Sequence, residues 1–163
     1  MNAKLTKALS EQAGREASNA QLYLALSVWA DVKQYRGARK WFREQSAEEI
    51  GHRDLLLGLV TGYCREHPTI ADVDSPIVEA LSLVDAFRSV VEAEEANTQQ
   101  LNFISDAAED EGAHEIEAFL VPMLQEQVRS VSFAADIVAR LERIGDDAAA
   151  VEIVDAYLGS VAG

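Results

Sequence analysis

A chain of 163 residues with 48% apolar side chains can bury roughly 70% of its unfolded surface around one core, so it needs neither disorder nor disulfide stapling. Its 28 Asp and Glu against 14 Lys and Arg leave a formal charge of −14; this excludes nucleic acid and anionic membrane surfaces, which are held by Lys and Arg, and makes cations the natural guests. Cys64 is the single cysteine, ruling out an internal disulfide, a Cys-x-x-Cys pair and a cysteine-cluster zinc site, and no apolar run is long enough for a leader core or a membrane span.

The chain reads as one cytoplasmic domain over residues 1–163. Only three prolines and nine glycines interrupt segments rich in Ala, Leu, Glu, Gln and Arg, which lose little freedom in a helix, so the fold class is all-α. An alternating three- and four-residue spacing, the signature of a packed helical stripe, fits four stretches. The first carries Leu5, Leu9, Gln12, Glu16, Asn19, Tyr23, Leu26 and Ala30. The second opens after Gly37 and carries Ala38, Phe42, Gln45, Glu49, His52, Leu56, Leu59 and Tyr63. A third, after Ser82, carries Leu83, Phe87, Val90, Glu94, Asn97, Leu101, Ile104 and Ala108. A fourth, after Gly112, carries Ile116, Leu120, Met123, Gln127, Ser130, Ala134, Ile137 and Leu141. At 1.5 Å per residue each is roughly 40 Å long, the proportions of a four-helix bundle.

The connections at Tyr35 to Gly37 and at Asp110 to Gly112 are short, which makes the first and second helices, and the third and fourth, antiparallel neighbours. Cys64 to Leu81, with Pro68, Asp72, Asp74, Ser75 and Pro76, has no helical period and suits a crossover along the bundle. A bend is expected at Pro122, which removes a backbone hydrogen bond and crowds the carbonyl of Ala118, at about 3 kcal/mol in a regular helix. After Gly145 a short fifth helix over 146–158 is apolar on two sides, with Val151, Val154 and Leu158 on one and Ile153 and Tyr157 on the other, and so is expected to be covered by another subunit.

Polar residues fall at the middle of every stripe: Gln12, Glu16 and Asn19; Gln45, Glu49 and His52; Glu94 and Asn97; Gln127 and Ser130. Antiparallel helices of matched length bring their midpoints to one level, so Glu16, Glu49, His52, Glu94 and Gln127 are expected to converge. Three carboxylates cannot stay ionised together in a dry core without compensation, and no Lys or Arg occupies these central positions. A multivalent cation is the simplest compensator. Carboxylates with one imidazole suit Fe, Mn or Zn, and the Glu49-Ile50-Gly51-His52 spacing puts two donors on one helix face. Glu16 or Glu94 alone would be ordinary on a solvated face; their coincidence at one depth is the informative feature. The sequence offers no Gly-rich phosphate loop, His-Glu-x-x-His motif or nucleophile elbow as a competitor. His67 and His114 read as surface histidines, Cys64 as a small filler at a helix end, and the acidic residues around Glu109 to Glu117 as a solvated helix start.

These residues resemble the ferritin family over nearly the whole chain. The resemblance is carried by Glu16 with Tyr23 seven residues on, by Trp41 to His52 with its Glu48-Glu49-Ile50-Gly51-His52 ending, by Glu94, and by Gln125-Glu126-Gln127. It implies a ferritin-like four-helix bundle with a long crossover between helices two and three and a short fifth helix lining four-fold axes. It further implies a homo-oligomeric shell, a 24-mer, in which a non-haem ferroxidase centre oxidises Fe(II) with O2 and delivers Fe(III) to an internal mineral. By the resemblance two irons bind per subunit: Glu16, Glu49 and His52 hold the first, Glu49 bridges, and Glu94 with Gln127 holds the second. Tyr23 is then close enough to assist the reaction, and Glu48 and Glu126 match accessory iron ligands. Gln127-Val128-Arg129-Ser130 stands where related di-iron proteins carry a second Glu-x-x-His, so the second iron is expected to be held more weakly. Ile50 and Gly51 replace the haem-ligating Met of bacterioferritins, so no haem is expected. Arg129 and Ser130 replace carboxylates of a third iron site, and the three-fold channel pattern is met at Glu117 but not at Leu120. Two rival readings are a catalytically silent shell subunit and a small di-iron oxidase or peroxidase acting as a dimer.

Overall fold

The computed structural model describes residues 3–73 and 75–162; Asp74, read above as part of the crossover, lies outside them. The chain is all-helical over these residues: α1 (Ala3–Val32), α2 (Arg36–Gly58) continued by a π-helical turn (Leu59–Tyr63), α3 (Leu83–Asp110), α4 (His114–Ile144) and α5 (Ala148–Val161). α1 packs along α2 and α3 along α4. The pairs run antiparallel, since Ala30 and Ala38 share one end of the core while Leu9 and Leu56 share the other. The crossover joining the pairs is irregular, as its sequence predicts.

Local chemistry sets the boundaries. At the start of α3 the Ser82 hydroxyl accepts from the Asp85 amide while the Asp85 carboxylate accepts from the Ser82 amide, satisfying donors that a helix start leaves free. α3 stops at Gly112, whose φ of 65° lies where a Cβ is unfavourable; there Gly112 N–H donates to Glu109 C=O at 2.9 Å and Ala113 N–H to Ala108 C=O at 2.8 Å. α5 begins two residues later than the sequence predicts, because Asp147 caps it by accepting from the amides of Ala149 and Ala150.

Two expectations are revised. The second stripe does not remain α-helical to Tyr63. It widens into a π-helical turn over Leu59–Tyr63, in which Leu59 and Val60 are buried while Tyr63 is 45% exposed. Gly37 is not part of the connection but sits in the first turn of α2, against α5. Pro122 lies inside α4, which continues to Ile144; Pro122 and Ala118 are both exposed, so water can take the carbonyl that the proline leaves free.

The core is two apolar clusters with a polar layer between them. Tyr23, Phe42, Phe87, Val90, Ile137 and Leu158 belong to one, and Leu5, Leu9, Leu56, Leu101, Ile104 and Leu120 to the other. The polar residues buried between them are Gln12, Glu16, Glu49, Glu94, Asn97 and Gln127, each from the middle of its stripe. Apolar packing at both ends fixes the four helices rigidly, and that rigidity holds six polar side chains at one depth.

Candidate metal centre

Glu16 comes from α1, Glu49 and His52 from α2, Glu94 and Asn97 from α3, and Gln127 from α4. The structure brings Glu16, Glu49 and His52 together so closely that one ligand atom from each lies within 4.8 Å of the others. Glu16, Glu49 and Glu94 are buried, and the His52 side chain is 13% exposed. His52 Nδ1 stands 3.5 Å from Glu49 Oε2, an oxygen that has no hydrogen-bond partner. A buried carboxylate oxygen left without a partner is costly and is relieved by a cation among these donors. Hard oxygens with one imidazole nitrogen form a donor set suited to Fe, Mn or Zn.

Glu94 and Gln127, which the sequence also expected to converge, lie in the same buried layer but outside that close group of three. Gln127 Nε2 donates to Glu94 Oε2 at 2.9 Å, and the Tyr23 hydroxyl donates a short hydrogen bond to Glu94 Oε1. Tyr23 is thus tied to the cluster through Glu94. It also packs edge-on to Trp41 at 5.9 Å between ring centres, within an aromatic group that includes Phe42, Phe87 and Phe133.

The electrostatics follow from burial. Loss of water pushes Glu16 up to about 9, reinforced by its hydrogen bond with Glu49 and by that carboxylate's charge. Glu49 is pushed up to about 8, again chiefly by burial, with Glu94 adding repulsion. Glu94 is raised by burial although the Tyr23 hydrogen bond opposes the shift. The Tyr23 hydroxyl is raised well above its ordinary value by burial and by the Glu94 carboxylate. At neutral pH, without metal, Glu16 and Glu49 therefore hold protons where a metal would place positive charge.

Glu48 and Glu126 sit at the rim as a carboxyl pair. Partial burial and a hydrogen bond to Glu126 raise Glu48 to about 7, while the bond received from Glu48 lowers Glu126. Gln45 Nε2 donates to Glu48 at 2.9 Å, and Glu126 Oε2 meets His52 Nε2 at 3.1 Å. Glu126 thereby holds the imidazole through its far nitrogen and leaves Nδ1 facing Glu49. Arg129 and Ser130 line the same rim as Glu48 and Glu126.

The sequence-based reading marked Gln12 and Asn97 as polar stripe residues and gave them no partner. In the structure both bond to Glu16, and the signal lay in the spacing: Gln12 is one turn before Glu16 on α1, and Asn97 one turn after Glu94 on α3. Glu126 as the partner of His52 was not foreseen, because a contact between α2 and α4 carries no sequence spacing. His67 and His114 are exposed, as predicted.

The bacterial non-heme ferritin of Staphylococcus aureus strain USA300 is 26% identical over 160 residues, covering 98% of this chain and 96% of that protein. That of Staphylococcus epidermidis is 29% identical over 147 residues, covering 90% and 88%. Among solved structures, the open-pore ferritin of Archaeoglobus fulgidus superposes with a TM-score of 0.93 at 28% identity, over 98% of both chains. A closed form of that ferritin engineered by mutagenesis gives 0.92 at 30% identity, over 98% of this chain and 96% of that one. The model of the ferritin-like domain family matches residues 6–144, which include nearly all of α1 and α4 and everything between them, so the chain belongs to the ferritin family.

Proposed function

We propose that this chain is an iron-storage ferroxidase: it oxidises Fe(II) with O2 at a two-iron centre inside each subunit and passes Fe(III) to mineral within a cytoplasmic 24-mer shell. The observation that carries the reading is the convergence of Glu16, Glu49 and His52 within 4.8 Å in a buried layer, with Glu94 and Gln127 beside them. Iron is the substrate. Glu16, Glu49 and His52 would take the first Fe(II), Glu49 would be shared, and Glu94 with Gln127 would take the second. Each Fe(II) would give one electron to O2.

The chain's own residues prepare this step. Glu16 and Glu49 would release their protons as iron enters, so binding and proton loss are coupled. Glu126 would keep His52 Nδ1 turned inward. Tyr23 would hold one oxygen of Glu94 and leave the other to Gln127 and iron. Glu48 and Glu126 would serve as accessory iron ligands towards the rim, where Fe(III) leaves. A single amide, Gln127, gives the second iron one neutral donor, so that iron would bind more weakly than the first and move on to mineral. With Ile50 and Gly51 between Glu49 and His52, no haem ligand is supplied at that point of α2.

The test is to give anaerobic protein two Fe(II) per subunit, admit air, and follow the ferric absorbance. The proposal expects a rise much faster than in buffer and a return to the buffer rate in Glu49→Ala. An unchanged rate in Glu49→Ala, or no acceleration by the native chain, would overturn it and favour a silent shell subunit.

A further inference from the structure

The two amides Gln12 and Asn97 form a closed arrangement with the Glu16 carboxylate. Gln12 Nε2 donates to Glu16 Oε1 at 2.7 Å and to Asn97 Oδ1 at 2.5 Å. Asn97 Nδ2 in turn faces Glu16 Oε2 at 3.2 Å and Oε1 at 3.4 Å. All three side chains are buried, and they join α1 to α3 across the bundle.

The arrangement has a cost that packing alone does not explain. Gln12 Oε1 is buried and has no hydrogen-bond partner, a loss of about 1–3 kcal/mol for a neutral polar atom. Turning the amide over would set that oxygen against Glu16 Oε1 and Asn97 Oδ1, two acceptors. Gln12 therefore gives up its own acceptor in order to donate twice. Asn97 lies on the buried stripe of α3 between Glu94 and Leu101. Its side-chain amide meets Glu16 and Gln12.

We infer that Gln12 and Asn97 are positioning residues that clamp the Glu16 carboxylate in the orientation a metal ion needs. The inference rests on the two-iron centre proposed above and adds what keeps its α1 ligand in place. Carboxylates that ligate metals are commonly held by such hydrogen bonds, and losing one costs roughly 10- to 100-fold in metal affinity. The clamp acts on Glu16 alone: Glu94 is held separately by Tyr23 and Gln127.

Anaerobic titration with Co(II), read by its visible absorption, tests the clamp without any turnover. The native chain, Gln12→Leu, Asn97→Leu and the double variant are compared, and a metal-free thermal melt of each reports folding. The double variant replaces both amides by apolar groups and so leaves neither unpaired, which keeps the test available should a single variant melt early. Support would be folded variants that bind the first Co(II) about 10- to 100-fold more weakly, the double variant losing less than the product of the singles because both act on one carboxylate. Folded variants with native Co(II) affinity and spectrum would overturn the clamp while leaving the centre standing. A native chain that binds no Co(II) would overturn the centre and the clamp with it.

Discussion

Glu49 is buried, hydrogen-bonded to Glu16 and has one oxygen without a partner. Its folded value near 8, and that of Glu16 near 9, lie above the ordinary 4.5. The folded state then holds more protons than the unfolded one between these values, so the stability that these groups contribute is complete below about 4.5 and is lost as pH rises through 8 to 9. The metal-free protein is accordingly expected to melt at lower temperature at pH 9 than at pH 6, and a divalent cation should restore the loss. Glu49→Gln, which cannot ionise, should flatten that pH dependence and weaken metal binding together; a melt series with and without Zn(II) checks both. Tyr23→Phe keeps the aromatic packing but removes the donor to Glu94. It should lower stability by about 1–3 kcal/mol, measured by denaturant unfolding, and should loosen the second metal more than the first.

The helices themselves were legible to different depths. Stripe periodicity located α1, α3 and α4 closely because each buries one continuous face, and it put Glu16, Glu49, Glu94 and Gln127 at one level because connections of a few residues leave antiparallel partners no freedom to slide. The π-helical turn at Leu59–Tyr63 was not legible, since one widened turn leaves the apolar spacing of Leu56, Leu59 and Val60 readable as ordinary helix. Gly37 was misread as loop because its role is set by a helix more than a hundred residues away. A Cβ there would lie 1.7 Å from the Asp155 carbonyl oxygen and 2.8 Å from the Gly159 amide nitrogen, while the Asp155 carboxylate accepts from the amides of Gly37 and Ala38 at 3.0 and 2.7 Å. α5 is thus fastened to the start of α2. Gly37→Ala should force the two helices apart and cost about 1–3 kcal/mol or more, and Asp155→Ala about 0.5–2 kcal/mol through the lost cap. Hydrogen exchange should show the change concentrated in α5, with the centre protected as before.

For the whole molecule, the fifth helix divides as its sequence suggests: Leu158 is buried against the bundle while Ile153 is 71% exposed on the subunit. Among the described residues no helix is long and apolar enough to cross a membrane; a second copy of the chain is the proposed cover for that outer apolar face. Sedimentation should give a mass near that of a 24-mer of the 17.8 kDa chain, and Ile153→Lys should reduce it; a native dimer would favour the small oxidase reading. The proposal's central claim is that buried carboxylates on three helices are held ready for metal by protons that metal displaces. It is tested most directly by anaerobic Fe(II) titration at pH 7 in a calorimeter, repeated in buffers of different ionisation enthalpy so that proton release is counted. Saturation at two Fe(II) per subunit with release of at least one proton is the result expected, and Fe(II) binding with no proton release, or no saturable binding at all, would contradict it.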